Sequence, residues 1–153
     1  MNPLLLDHQL CFSLYAASRA MTAAYGPLLK ELGVTYPQYL VMMVLWETDE
    51  VSVKHLGERL HLDSGTLTPV LGKLEQHGLI TKARDDADAR VVRVSLTSSG
   101  KALRKKALAI PEKLLCQFGI SLPAVAQLRK ELSALTTHLR EANAEPTNEE
   151  ETP

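Results

Sequence analysis

The sequence predicts a mostly α-helical chain with one small β-hairpin, an α+β fold in which helices outnumber strands. Three observations carry that prediction. Leu40, Val41, Val44 and Leu45, and again Leu67, Val70, Leu71 and Leu74, recur at helical spacing. Two β-prone runs, 79–83 and 91–96, flank the charged stretch 84–90, the pattern of a hairpin with a polar tip. Long helical patterns also occupy both ends of the chain, about 7–32 and 97–142.

Taken in order, Asp7 is the expected N-cap of a first helix reaching about Leu32, where Gly33 stops it. Tyr36 and Pro37 open a second helix, Gln38 to Glu47, with Pro37 in the first turn where a missing N–H costs nothing. Val51 to Val53 reads as a short strand leading into a third helix capped by Ser52, with Val53, Leu56 and Leu60 facing a core. A turn over His61 to Asp63 leads to a fourth helix that ends near His77 and Gly78. Thr97 to Gly119 reads as one long helix that Pro111 should kink or break. Leu122 to Ala142 is the last helix, and 143–153 is expected to be a disordered acidic tail.

The chain has 153 residues, enough for one domain with a substantial core, expected over 1–142. Its net charge of -1 hides an asymmetry. Residues 52–106 hold eleven Lys or Arg against six Asp or Glu, whereas 141–153 holds five Glu and no base. A basic middle suits a phosphate-binding surface, because neutralising phosphates releases condensed counterions. The sequence has neither an apolar run of membrane-spanning length nor a leader pattern, so a cytoplasmic protein with free or redox-active thiols is expected, with no membrane partner.

Helix, short turn, helix and hairpin is the winged helix-turn-helix arrangement. Its reading helix must expose small polar groups opposite its leucines. Ser64, Thr66, Thr68, Pro69, Lys73 and Gln76 lie on that side or its margins. Pro69 fits best if the helix starts between Asp63 and Thr66, so that it falls near the first turn. The wing carries Arg84 and Arg90, with Lys82 and Arg93 on its strands. An arginine at a hairpin tip suits a narrow minor groove, and Asp88 can hold Arg90 by a bidentate pair. The competing reading is a solvated hairpin with routine ion pairs.

Cys11 and Cys116 are the two cysteines. With Asp7 as cap, Cys11 sits about one turn into the first helix, where the dipole favours thiolate. Tyr15 is one turn further on. Tyr25 projects from the same face but lies roughly 21 Å away along the axis, at 1.5 Å per residue. It reaches Cys11 only if two copies pack their first helices antiparallel; phenol donors would then stabilise the thiolate. The plainer reading makes both cysteines small buried hydrophobes and the tyrosines packing residues. The five histidines lack metal-site spacing, and no cofactor fingerprint or catalytic motif is present.

The runs Leu10-Cys11-Phe12-Ser13-Leu14-Tyr15-Ala16-Ala17-Ser18-Arg19, Leu32 to Leu40 and Leu62 to Pro69 resemble the MarR family of dimeric winged-helix regulators, specifically its organic-hydroperoxide-sensing branch. The resemblance covers nearly all of the chain before the acidic tail. It implies a homodimer on double-stranded operator DNA, with dimerisation helices at about 7–48 and 97–142 and a DNA-binding part at about 51–96. It implies that Cys11 is the peroxide-reactive cysteine, and that Tyr25 and Tyr36 hydrogen-bond it across the dimer. Cys116 matches the resolving cysteine of the two-cysteine subgroup, and Asp88 and Arg90 fall on the wing-tip Asp-x-Arg pattern. Two rivals stand beside this reading. One is a regulator released by a small phenolic ligand bound near Tyr36 and Trp46, with structural cysteines. The other is a thiol peroxidase, for which a basic reading helix and wing would have no use.

Overall fold

The computed structural model describes residues 4–144, which divide into two compact units on either side of the 114/115 boundary. In the first unit a 3-10 turn, Leu6–His8, precedes α1 (Leu10–Lys30), α2 (Tyr36–Glu47), β1 (Val51–Ser52), α3 (Val53–Leu60) and α4 (Ser64–Gln76). β2 (Ile80–Arg84), β3 (Val92–Leu96), α5 (Ser98–Ala107) and α6 (Ile110–Leu115) follow. The second unit contains α7 (Leu122–Ala144). The expected tail therefore begins inside α7 at 143–144, and 145–153 lies outside the described residues.

Local chemistry explains most boundaries. Asp7 does not cap α1: it sits within the 3-10 turn, and Gln9 is the N-cap, without a side-chain cap bond. Gly33 adopts a positive φ of 70°, as expected of the stop. Its N–H reaches the Lys30 carbonyl while the Val34 N–H reaches that of Leu29, a Schellman closure. α2 begins at Tyr36, and the Gln38 side chain accepts from the Thr35 N–H at 2.9 Å, half of a capping box. Ser52 caps α3 by accepting from the His55 N–H at 3.0 Å. The expected long helix breaks ahead of Pro111: α5 ends at Ala107 and α6 starts at Ile110. A proline ring has no N–H to donate and collides with the carbonyl four residues back, here that of Ala107.

The sheet order is β1-β3-β2, both pairings antiparallel, so the hairpin gains a third strand from the α2–α3 connection. Val51 pairs with Val94, and Ile80 with Leu96. The core of the first unit joins Leu29, Val41, Met42, Leu45, Leu56, Leu67, Leu71, Leu74, Ile80 and Val94. Met42 is fully buried, while Met43 is exposed. α5 docks closely enough that a Cβ on Gly100 would lie 2.1 Å from the Leu79 carbonyl oxygen. Thr97 secures that junction, accepting from the Gly100 N–H and donating to the Gly78 carbonyl. α7 has no buried residue, and Leu122, Leu128, Leu132 and Leu139 are exposed along it.

Candidate functional site: a nucleic-acid interface and an exposed thiol

The fourth helix buries Leu67, Leu71 and Leu74 and exposes Ser64, Thr66, Thr68, Pro69, Lys73 and Gln76. Its start is fixed by Asp63, whose Oδ1 accepts from the Thr66 N–H at 2.8 Å. That amide, with the Thr66 hydroxyl, holds the Asp63 carboxyl below its usual range. Two of the expected reading hydroxyls are engaged locally: Thr66 Oγ1 with Asp63 Oδ2 at 3.3 Å, and Thr68 Oγ1 donating to the Ser64 carbonyl at 2.7 Å. A phosphate oxygen only accepts, so each must swing from its local partner to contact one. α4 starts at Ser64, within the window expected between Asp63 and Thr66, but Pro69 falls just past the first turn. It is the sixth residue of α4, in the helix interior and exposed.

Gly72 was not singled out from sequence, yet it belongs to this face. A Cβ there would meet nothing within 4 Å, so packing does not demand a glycine. Gly65, Pro69, Gly72 and Gln76 follow one another at i, i+4, i+7 and i+11. The outward face is consequently low enough for a partner's backbone to approach the helix closely.

At the wing tip, Arg90 Nε and Nη2 meet Asp88 Oδ1 and Oδ2, each at 3.0 Å, the bidentate pair expected from spacing. The Arg90 N–H also donates to Asp88 Oδ1. Arg90 holds the Asp88 carboxyl below its usual range, and the Arg90 side chain stays 91% exposed. Arg84 donates to the Ala89 carbonyl at 2.7 Å, bracing the loop. The other strand cations are less available than the charge count suggested. Lys82 pairs with Glu75 of α4 at 3.1 Å. Arg93 pairs with Asp85 through Nε and donates from Nη1 to the Glu50 carbonyl. Between α4 and the wing lies a cleft of about 480 Å³, lined among others by Ser52, Lys54, Thr68, Lys82 and Arg90.

The thiol site is at the other end of the first unit's chain. Cys11 is exposed and is the second residue of α1. Without Asp7 as cap, the sulfur lies in the very first turn, where backbone amides lack intrahelical partners. Tyr15 is 58% exposed, and its hydroxyl and ring are engaged by Arg19. Arg19 Nη1 donates to the Tyr15 hydroxyl at 3.4 Å, and its guanidinium carbon lies 5.6 Å from the ring centroid.

Tyr25 and Tyr36 come together, ring centroids 4.9 Å apart, but not beside Cys11 of their own chain. Tyr39, overlooked in the sequence, completes the cluster at 5.7 Å from Tyr25 and 6.1 Å from Trp46. Trp46 donates from Nε1 to the Gly100 carbonyl, linking the cluster to α5. Burial, then the neighbouring Tyr36 and Tyr39, pushes the Tyr25 phenol up to about 12, and burial also raises Tyr36 and Tyr39. These rings therefore remain neutral hydrogen-bond donors over the physiological range. Cys116 is also exposed, but it falls in a turn just past α6 rather than on the helix expected to carry it.

These elements define a winged-helix DNA-binding regulator. The SarA/Rot family of transcriptional regulators matches residues 23–107. The organic hydroperoxide resistance transcriptional regulator of Bacillus subtilis is 51% identical over 88% of this chain and 89% of its own length. Reduced AbfR bound to DNA superposes with a TM-score of 0.78 at 35% identity, over 88% of this chain and 94% of that one. Its disulfide-formed state gives 0.61 at 36% identity, over 88% and 91%; the AbfR protein is from Staphylococcus epidermidis. The chain belongs to the SarA/Rot family, within the MarR group of transcriptional regulators that its motifs resemble. Among the described residues, no helix is long and apolar enough to cross a membrane.

Proposed function

We propose that the chain is an organic-hydroperoxide-sensing transcriptional repressor that acts in the cytoplasm without catalytic turnover. The reduced homodimer binds a pseudo-palindromic operator through α4 and the wing, with the terminal helices forming the dimer interface. The observation that carries the reading is the exposed Cys11 thiol at the amide-rich end of α1, on the same chain as a winged reader. The Bacillus regulator named for organic hydroperoxide resistance, half identical to this chain, supports it. So does AbfR, a related regulator with both a DNA-bound reduced and a disulfide-formed structure.

The chemistry balances without a cofactor. The Cys11 thiolate attacks the O–O bond of the hydroperoxide and takes one oxygen as sulfenic acid, while the other leaves with the alkyl group as an alkoxide that becomes the alcohol. The Cys116 thiol of the partner then displaces the sulfenic oxygen as water, forming an intersubunit disulfide. In the dimer, the neutral Tyr25 and Tyr36 phenols would donate to the partner's Cys11 sulfur. Disulfide geometry is strict, so closing it would move the terminal helices and cost the dimer its half-site spacing.

A gel-shift assay on a bound promoter duplex tests this. Cumene hydroperoxide should release the wild-type protein, leave Cys11→Ser bound, and yield a covalent dimer on a non-reducing gel only when Cys11 and Cys116 are both present. Release of Cys11→Ser by the hydroperoxide would overturn the reading.

A further inference from the structure

The wing of this chain is held by a continuous set of contacts that begins outside the hairpin. After α2, Glu50 adopts a left-handed φ of 62°, unusual for a residue with a side chain, and this turns its carbonyl toward β3. Arg93, in β3 opposite Ser52, donates to that carbonyl from Nη1 at 3.1 Å. Its Nε pairs with Asp85 Oδ2. The other oxygen of Asp85 accepts from the backbone N–H groups of Ala87 and Asp88, at 2.9 and 3.1 Å. Asp88 in turn grips Arg90 by two parallel bonds. The Asp85 side chain is only 15% exposed, while Arg93 is 49% exposed, so the carboxylate end of the pair is the sheltered one. The corner itself is anchored, because Asp49 accepts from the Leu96 N–H at 2.8 Å and pairs with Lys101.

We propose that Arg93 and Asp85 form a strut that sets the attitude of the wing tip and so positions Arg90 on DNA; Arg93 is a positioning residue and not itself a DNA contact. A guanidinium suits the task because its planar fork serves two acceptors at once, a carboxylate and a carbonyl. Spending Arg93 in this way removes one cation from the phosphate-facing set, and the compensation is rigidity. A wing tip fixed in the free protein loses less conformational freedom on binding than one that must be ordered by the DNA. The proposal rests on the reading above that the wing grips operator DNA.

The test uses full-length reduced protein and a fluorescent duplex selected from a random-sequence pool by the wild type. Affinity is measured across a salt series for Arg93→Gln, Asp85→Asn, their double variant and Arg90→Gln. A strut predicts that Arg93→Gln and Asp85→Asn each weaken binding, by about threefold to tenfold. The slope of log affinity against log salt should be unchanged, and the double variant no weaker than either single, because the pair acts as one unit. Asp85→Asn is the sharper of the two. If Arg93 touched phosphate, removing the nearby carboxylate would free a cation and tighten binding. Tighter binding by Asp85→Asn, or a slope reduced by about one unit in Arg93→Gln, overturns the strut. Arg90→Gln isolates the underlying reading: its slope should fall by about one, and wild-type behaviour would show that the wing does not grip DNA, removing the strut's purpose with it.

Discussion

Tyr25 shows how one side chain joins packing to chemistry. Its ring lies against Tyr36 and Tyr39, and burial with those neighbours raises the phenol from 10.0 to about 12. The folded chain thus holds this proton more tightly than the unfolded chain, so the associated stability is complete below pH 10 and is lost as pH rises toward 12. Urea midpoints measured across that window should fall steeply for the wild type and more gently for Tyr25→Phe, which has no proton there to lose. Equal slopes would mean that the phenol titrates unperturbed. The same neutrality serves the proposed function, since a phenol that keeps its proton can donate to a sulfur anion. Cys11 belongs to this scale as well. Its place in the first turn of α1 follows from Gln9, not Asp7, being the cap.

Among the elements, α4 carries a local conflict. Pro69 stands in its interior, where it leaves the Gly65 carbonyl without its usual N–H donor. An interior proline costs up to about 3 kcal/mol relative to alanine. Pro69→Ala should therefore stabilise the fold by about 1–3 kcal/mol in urea unfolding. Operator affinity should drop, because the ring sits on the outward face between Gly65 and Gly72. A stabilised variant with unchanged affinity would remove Pro69 from the reading surface. Sequence periodicity located α4 well because its leucines repeat at helical spacing and its cap is local. The start of α4 also falls in the expected window, though nothing in the run from Asp63 to Thr68 says that the helix will tolerate a proline just past its first turn. The hairpin was equally legible, whereas the third strand was not paired in advance. The contact of Val51 with Val94 spans 43 residues and leaves no local mark.

For the whole molecule, the unpartnered leucines of α7 matter most. Leu128, Leu132 and Leu139 are 48%, 36% and 54% exposed, with Leu135 between them at the same heptad-like spacing. An apolar seam of this kind is unstable in water, and a second copy of the chain is the partner proposed for it. Leu132→Glu should yield monomers by sedimentation while leaving the first unit folded. Operator affinity should then fall about a hundredfold or more, because one reader per molecule loses the avidity of two linked half-sites. A Leu132→Glu protein that stays dimeric would place the interface elsewhere.

Short-range physics made much of this protein readable without coordinates: the leucine stripes of α2 and α4, the Ser52 cap, the glycine stops, the break ahead of Pro111, and the Asp88–Arg90 pair two residues apart. Each depends on neighbours within about one helical turn, so composition and spacing determine it. Contacts between distant segments decided the rest. Tyr39 joined the tyrosine cluster only once α1 packed on α2. Lys82 and Arg93, counted as free cations, found Glu75 and Asp85 when the sheet formed beside α4 and the α2–β1 corner. A side chain's charge is legible in a sequence, but whether that charge faces solvent or another residue depends on which surfaces the fold brings together.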